Sequence, residues 1–124
     1  MILGLGIDLL DLSRVERELL RGGWPAEDGI FTPEEIAHCN STTSPARSYA
    51  ACFAAKEATL KALDLRVDDL GYFGEVEVKP DQCGYRLTLH GRPKARAEQL
   101  GVRQAKLSIA RHARQISAVV IMEA

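Results

Sequence analysis

The sequence has little of what fastens a small protein from outside its core. Its 124 residues include three cysteines, Cys39, Cys52 and Cys83, with no C-x-x-C pair and no histidine at finger spacing. That excludes a disulfide framework and a zinc site. Aromatic residues make up 6%, and the spacing of Trp24, Phe31 and Tyr49 gives no cluster, so they read as packing anchors rather than a stacking platform for bases. No run of about 18 apolar residues occurs, and no basic stretch precedes an apolar N-terminal segment, so neither a membrane span nor a secretion signal is expected. Net charge is also scarce: sixteen Lys and Arg against seventeen Asp and Glu leave −1, unlike a nucleic-acid coat. These absences predict a cytoplasmic protein of one domain, residues 1–124, with no membrane or nucleic-acid partner. Its 46% apolar residues suffice for one core.

The charge that is present is uneven. Residues 86–114 hold eight Lys/Arg and a single acid, Glu98, whereas residues 1–85 balance at −7. Such a run is either a solvated face or a concentrated anion site, and a phosphate-bearing small molecule would suit the latter.

Periodicity orders the chain. Residues 2–10 have strand length and period two, with Leu3, Leu5, Ile7 and Leu9 on one face and Gly4, Gly6 and Asp8 on the other. The glycine face lacks side chains, so another backbone or a ligand can approach it beside Asp8. A helix over 12–21, capped by Asp11 or Ser13, turns Val15, Leu19 and Leu20 inward and carries a basic stripe, Arg14, Arg17 and Arg21. Thr32-Pro33-Glu34-Glu35 opens a short helix ending near Asn40. The Ala-rich stretch from 46 to about 63, free of Gly and Pro, is the longest helix. Strands over 76–79 and 86–89, a helix over 93–100 stopped by Gly101, and a closing hairpin, 106–111 with 116–122, complete the order. The predicted class is α+β, a mainly antiparallel sheet packed with one long and several short helices.

On the long helix Phe53, Glu57 and Lys61 share a row beside Ala50, Ala54 and Ala58, so two charges interrupt the most apolar arc. Lys56 falls on the other side, where an ordinary surface lysine belongs. An i,i+4 ion pair is the plain reading of Glu57 and Lys61, but one placed on an apolar arc suits a helix that meets a ligand. Asp8, alone in an apolar strand, needs a partner too. Two carboxylates from two elements, Asp8 and Glu57, suit Mg²⁺, with Lys61 one turn away to stabilise phosphoryl charge. His38 and His90 have no motif around them and read as packing residues.

Gly4-Leu5-Gly6-Ile7-Asp8 with Arg14 six residues on, Phe31-Thr32-x-x-Glu35, Phe53-Ala54-Ala55-Lys56-Glu57-Ala58-x-x-Lys61-Ala62-Leu63 and Ala118-Val119-Val120-Ile121 together resemble the holo-acyl-carrier-protein synthase type of 4'-phosphopantetheinyl transferase. The resemblance is ordered and nearly full-length. It implies transfer of 4'-phosphopantetheine from coenzyme A to a serine of an apo acyl carrier protein, releasing adenosine 3',5'-bisphosphate, with Mg²⁺ as the metal. It further implies that Asp8 and Glu57 bind the metal, that Lys61 lies near the coenzyme A pyrophosphate, and that Arg14, joined by Arg21, docks the acidic carrier. The small form of the family is a homotrimer with sites between subunits. Asp8, Glu57 and Lys61 are the expected catalytic residues; Glu57, directly or through metal-bound water, is the expected general base, with a second carboxylate or solvent as the alternative.

The pattern is broken in three places. Cys52 stands where the family carries an arginine that contacts coenzyme A phosphate. Asp64-Leu65-Arg66 replaces a Gly-x-Gly. Ser-x-Ser-His becomes Ser108-Ile109-Ala110-Arg111-His112, which puts Arg111 at the histidine position; His112 would need a one-residue shift that turns it to the other face. The coenzyme A contacts are therefore expected at Lys61, Ser108 and Arg111. A non-catalytic module that keeps the fold and the carrier-docking helix is the alternative.

Overall fold

Alternation in the first strand decides how the rest is stacked. In the computed structural model, which describes residues 1–26, 29–66, 70–82 and 84–124, strand β1 (Ile2–Asp11) buries Gly6, Asp8 and Leu10. Leu5, Ile7 and Leu9, on its other face, are 62–63% exposed. β1 pairs antiparallel with β5 (Gln115–Glu123), which pairs antiparallel with β4 (Gln104–His112). β2 (Val76–Asp81) and β3 (Gly84–Leu89) form a separate antiparallel pair. The α+β class and the order of elements are as predicted, with the strands divided between a three-stranded and a two-stranded sheet. Cys83 lies outside the described residues.

The long helix α3 (Pro45–Ala62) lies at the centre. One flank packs on β1 and β5; the other meets α2 (Pro33–Ser41), a 3-10 helix (Leu70–Glu75) and β2. Burial on both flanks explains a helix rich in alanine nearly all round: Ala50, Ala51, Ala54, Ala55 and Ala58 are fully buried. Trp24, Phe31, Tyr49, Phe53 and Phe73 pack together at its side, with centroids 4.7 Å apart for Trp24–Phe53 and 5.1 Å for Phe31–Tyr49. They are packing anchors, as read, although they also cluster in space. α4 (Gly91–Leu100) packs on the 3-10 helix and ends at Gly101, whose φ of 84° is the left-handed cap glycine favours.

Two expectations are corrected. Leu20, taken to face inward, is 87% exposed; α1 (Leu12–Leu20) instead buries Leu12 and Val15, with Leu19 partly buried. Leu20 is turned about 100° from Leu19, which places it beyond the contact with α3. Lys56, read as a surface lysine, is 0% exposed. Its ammonium pairs with Glu35 at 2.9 Å and donates to the carbonyls of Phe73 at 2.8 Å and Val76 at 2.6 Å. A buried charge with a full set of partners is tolerated; stripped of one partner it typically costs about 3–5 kcal/mol.

Candidate active site

Two glycines bring the site together. A Cβ on Gly4 would stand 2.1 Å from the carbonyl oxygen of Ala62, and one on Gly6 1.8 Å from that of Ala58. The α3 backbone therefore lies directly on β1, at a spacing that only glycine allows. Two residues beyond Gly6 along the strand, on the same face, comes Asp8, and one residue before Ala58 along the helix comes Glu57. The vacancy read in the sequence is filled by the helix backbone, and the acid beside it meets the helix acid.

Asp8 is buried. Its Oδ1 accepts from Lys61 Nζ at 3.0 Å, while Oδ2 is buried with no hydrogen-bond partner. Lys61 also donates to the Ile7 carbonyl at 3.2 Å, yet its side chain is 45% exposed, so the ammonium reaches both the strand and solvent. Burial pushes the Glu57 carboxyl up to about 7; the neighbouring Asp8 carboxylate pushes the same way, against Lys61 and Arg14. The two carboxyl groups thus lie close enough to repel, and Arg14 close enough for its charge to be felt. Two acids facing each other, one with an orphaned oxygen, make a site short of positive charge. Oxygen donors of this kind fit a hard divalent cation, which takes one or two carboxylates and completes its shell with water and phosphate. Among the described residues no third His, Cys, Asp or Glu joins them.

The other sequence-predicted residues lie elsewhere in the chain. Ser108 stands across from Val119, itself across from Ile7, so it shares the exposed sheet face that points away from Asp8. Arg111 pairs with Ile116 and falls in line with Leu10, about 10 Å across the sheet. Its neighbour is Tyr85, whose phenol burial pushes up and Arg111 pulls back. His112 is across from Gln115 in an unshifted ladder, on the opposite face. Cys52 is a core residue: burial pushes its thiol well above its usual range, against the nearby Lys56 charge. Arg14, Arg17 and Arg21 form the exposed stripe expected on α1, with Arg21 held 2.5 Å from Glu18.

The basic run does not gather into one site. Lys106 pairs with Glu123 at 3.3 Å, Arg114 with Glu16, and Arg92 lies over the Tyr72 ring. Arg96 donates to the Leu63 carbonyl at 3.0 Å. With Arg92 and Gln99 it faces Asp64 and Leu65 across a cleft of about 490 Å³ beyond the end of α3. The residue that sequence reasoning missed is Lys56; its surroundings of Ala and Phe on both sides of α3 were the available signal.

The chain is 38% identical over 124 residues to a holo-[acyl-carrier-protein] synthase of Geobacter sp. (strain M21), with 99% of each chain covered. It is 40% identical over 124 residues to one of Solidesulfovibrio magneticus, again with 99% of each covered. The crystal structure of the Neisseria meningitidis holo-[acyl-carrier-protein] synthase superposes over 100% of both chains with a TM-score of 0.85 at 28% identity. The Helicobacter pylori synthase, solved in complex with coenzyme A, gives 0.79 at 25% identity over 96% of this chain and 99% of that one. The family model of the 4'-phosphopantetheinyl transferase superfamily matches residues 4–117, and the chain belongs to that superfamily.

Proposed function

We propose that this chain transfers 4'-phosphopantetheine from coenzyme A to the serine hydroxyl of an apo acyl carrier protein, giving holo carrier and adenosine 3',5'-bisphosphate, and that residues 1–124 act as one such domain. The observation that carries the reading is the meeting of Asp8, Glu57 and Lys61 between β1 and α3. The relatives are named for this activity, and several of the solved ones hold coenzyme A.

Asp8 and Glu57 would hold Mg²⁺, the unpartnered Asp8 Oδ2 and the strained acid pair being what a cation relieves. When bound, Mg²⁺ supplies charge neutralisation to the pyrophosphate. Lys61, exposed enough to reach substrate, adds a second positive charge at the same phosphates. The serine oxygen forms a bond to the phosphorus that bears pantetheine. The phosphoanhydride bond breaks, and its electron pair leaves on the nucleotide bisphosphate. Glu57, directly or through an intervening water, takes the serine proton.

Arg14 and Arg21, exposed on α1, offer charge to the acidic helices of a carrier. The row of Leu5, Ile7 and Leu9, unusually exposed for so apolar a strand face, supports assembly with further copies as a homotrimer. Ser108 lies on that same face, so in this reading it serves a neighbouring copy's coenzyme A, with Arg111 supplying the phosphate contact that Cys52 does not. Among the described residues no helix is long and apolar enough to cross a membrane. Cys39 and Cys52 are free thiols, and we place the reaction in the cytoplasm.

Incubating an apo carrier with the protein, coenzyme A and Mg²⁺ tests the reading by mass spectrometry. The expected result is a carrier heavier by one phosphopantetheine. A carrier that binds but keeps its mass identifies the non-catalytic alternative.

A further inference from the structure

The proposed reaction employs one lysine of α3 and leaves the other without a task. Lys56 has three N–H donors and three acceptors at 2.6–2.9 Å, from the 3-10 helix, β2 and α2. Glu35 is equally occupied: it accepts from Thr32 N at 2.8 Å, from Val78 N at 2.8 Å and from Lys56. One ammonium and one carboxylate thus tie together the start of α2, the middle of α3, the end of the 3-10 helix and the first turns of β2. An apolar pair of similar volume would hold these elements as firmly. What the charges add is direction, because three hydrogen bonds fix Nζ to one point whereas methyl groups tolerate sliding.

Lys56 is the residue before Glu57, and it lies about 200° round the helix from Ala58, whose carbonyl abuts Gly6. The helix is therefore gripped on opposite flanks at the same turn. We infer that Lys56, with Glu35, is a positioning residue that fixes the rotation of α3 about its axis so that Glu57 meets Asp8, and thereby sets the divalent-cation affinity of that pair. The inference rests on the reading in which Asp8 and Glu57 hold the cation.

Two variants test it, each measured for Mn²⁺ binding by the loss of the free-ion electron paramagnetic resonance signal and for the Mg²⁺ concentration that half-saturates transfer. Lys56→Met/Glu35→Gln removes both buried charges and leaves a carbonyl for the Val78 N–H. Glu35→Asp keeps both charges and draws the carboxylate back by one methylene. Groups that orient a metal's ligands typically cost about 10–100-fold in affinity or activity when removed. The expected result is Mn²⁺ binding weakened roughly tenfold or more in the double variant and about two- to fivefold in Glu35→Asp, with the Mg²⁺ half-saturation shifted in step and the carrier KM held within about twofold. A merely structural role lowers the folded fraction, and with it kcat, while the metal constants of the folded molecules stay at the wild-type value; that outcome in either variant overturns the inference. A wild type that binds no Mn²⁺ overturns the reading of the acid pair itself, which separates the two failures.

Discussion

Lys61 holds one oxygen of Asp8 at 3.0 Å and leaves the other buried and unpartnered. A lysine able to neutralise a lone aspartate therefore answers only half of this one. The remaining oxygen and the Glu57 carboxyl share a deficit of positive charge, and the behaviour of the site under titration and mutation follows from it.

The first expectation concerns protons. Glu57 is raised to about 7 from an ordinary value of 4.5, so the folded chain keeps a proton that the unfolded chain has released. Its stabilising contribution is present in full below pH 4.5 and is lost as the pH rises through about 7. Below that point an incoming cation must displace the proton. Calorimetry of Mn²⁺ binding at pH 6 in two buffers of different ionisation enthalpy should show proton release that fades by pH 8. Identical heats in the two buffers at pH 6 would contradict the assignment.

Glu57→Gln preserves shape and removes both the proton acceptor and one cation ligand. Loss of a general base lowers turnover by about 10²–10⁴-fold. The variant should also lose the pH dependence of thermal stability just described. A variant with wild-type kcat at saturating Mg²⁺ removes Glu57 from the proton-transfer step.

Gly6→Ala should be among the most damaging small substitutions in the chain. The added carbon would lie 1.8 Å from the Ala58 carbonyl oxygen, so β1 and α3 must part. Overpacking of this kind costs about 1–3 kcal/mol, and parting the two backbones also draws Asp8 from Glu57. Gly22→Ala is the control: its φ is 79° but no atom lies within 4 Å of the added carbon. Urea unfolding should give the larger loss for Gly6→Ala, and only that variant should weaken Mn²⁺ binding. Equal metal affinity in the two would show that the spacing of strand and helix does not govern the site.

Ile7→Lys places a charge in the middle of the exposed row on β1 without touching the buried face. Sedimentation should show the assembly falling to a smaller species with reduced transfer. An unchanged mass would move the contact between copies to another surface.

Arg21→Ala should raise the carrier KM several-fold and flatten its dependence on salt, because exposed charges are screened beyond a Debye length of about 10 Å at 0.1 M. A KM that keeps its full salt response would assign the docking charge elsewhere on the chain.

The parts of the molecule legible in the sequence are those governed by near neighbours. Period two in residues 2–10 and the glycines within it gave the strand and a face open to another backbone or a ligand, and Asp8 was visible as a charge with no local partner. Glu57 and Lys61 stood out by interrupting an apolar arc. Lys56 was misread because a helix wheel assumes one buried arc, whereas α3 is buried on both flanks. The carboxylate that makes its burial tolerable comes from Glu35, 21 positions back, and the two carbonyls from Phe73 and Val76 further on. The basic run misled in the opposite sense: contiguous in sequence, it is dealt out over a strand, a helix and a hairpin whose folded positions only the topology fixes.

The contact of Gly4 and Gly6 with the α3 carbonyls leaves the backbone no slack in the closing direction. Remodelling this centre for an ion of another radius must therefore proceed by lengthening or shortening the carboxylate arms, as Asp-for-Glu exchanges do, since the two main chains already touch. The frame acts as a fixed gauge, and the side chains hung from it are the only adjustable jaws.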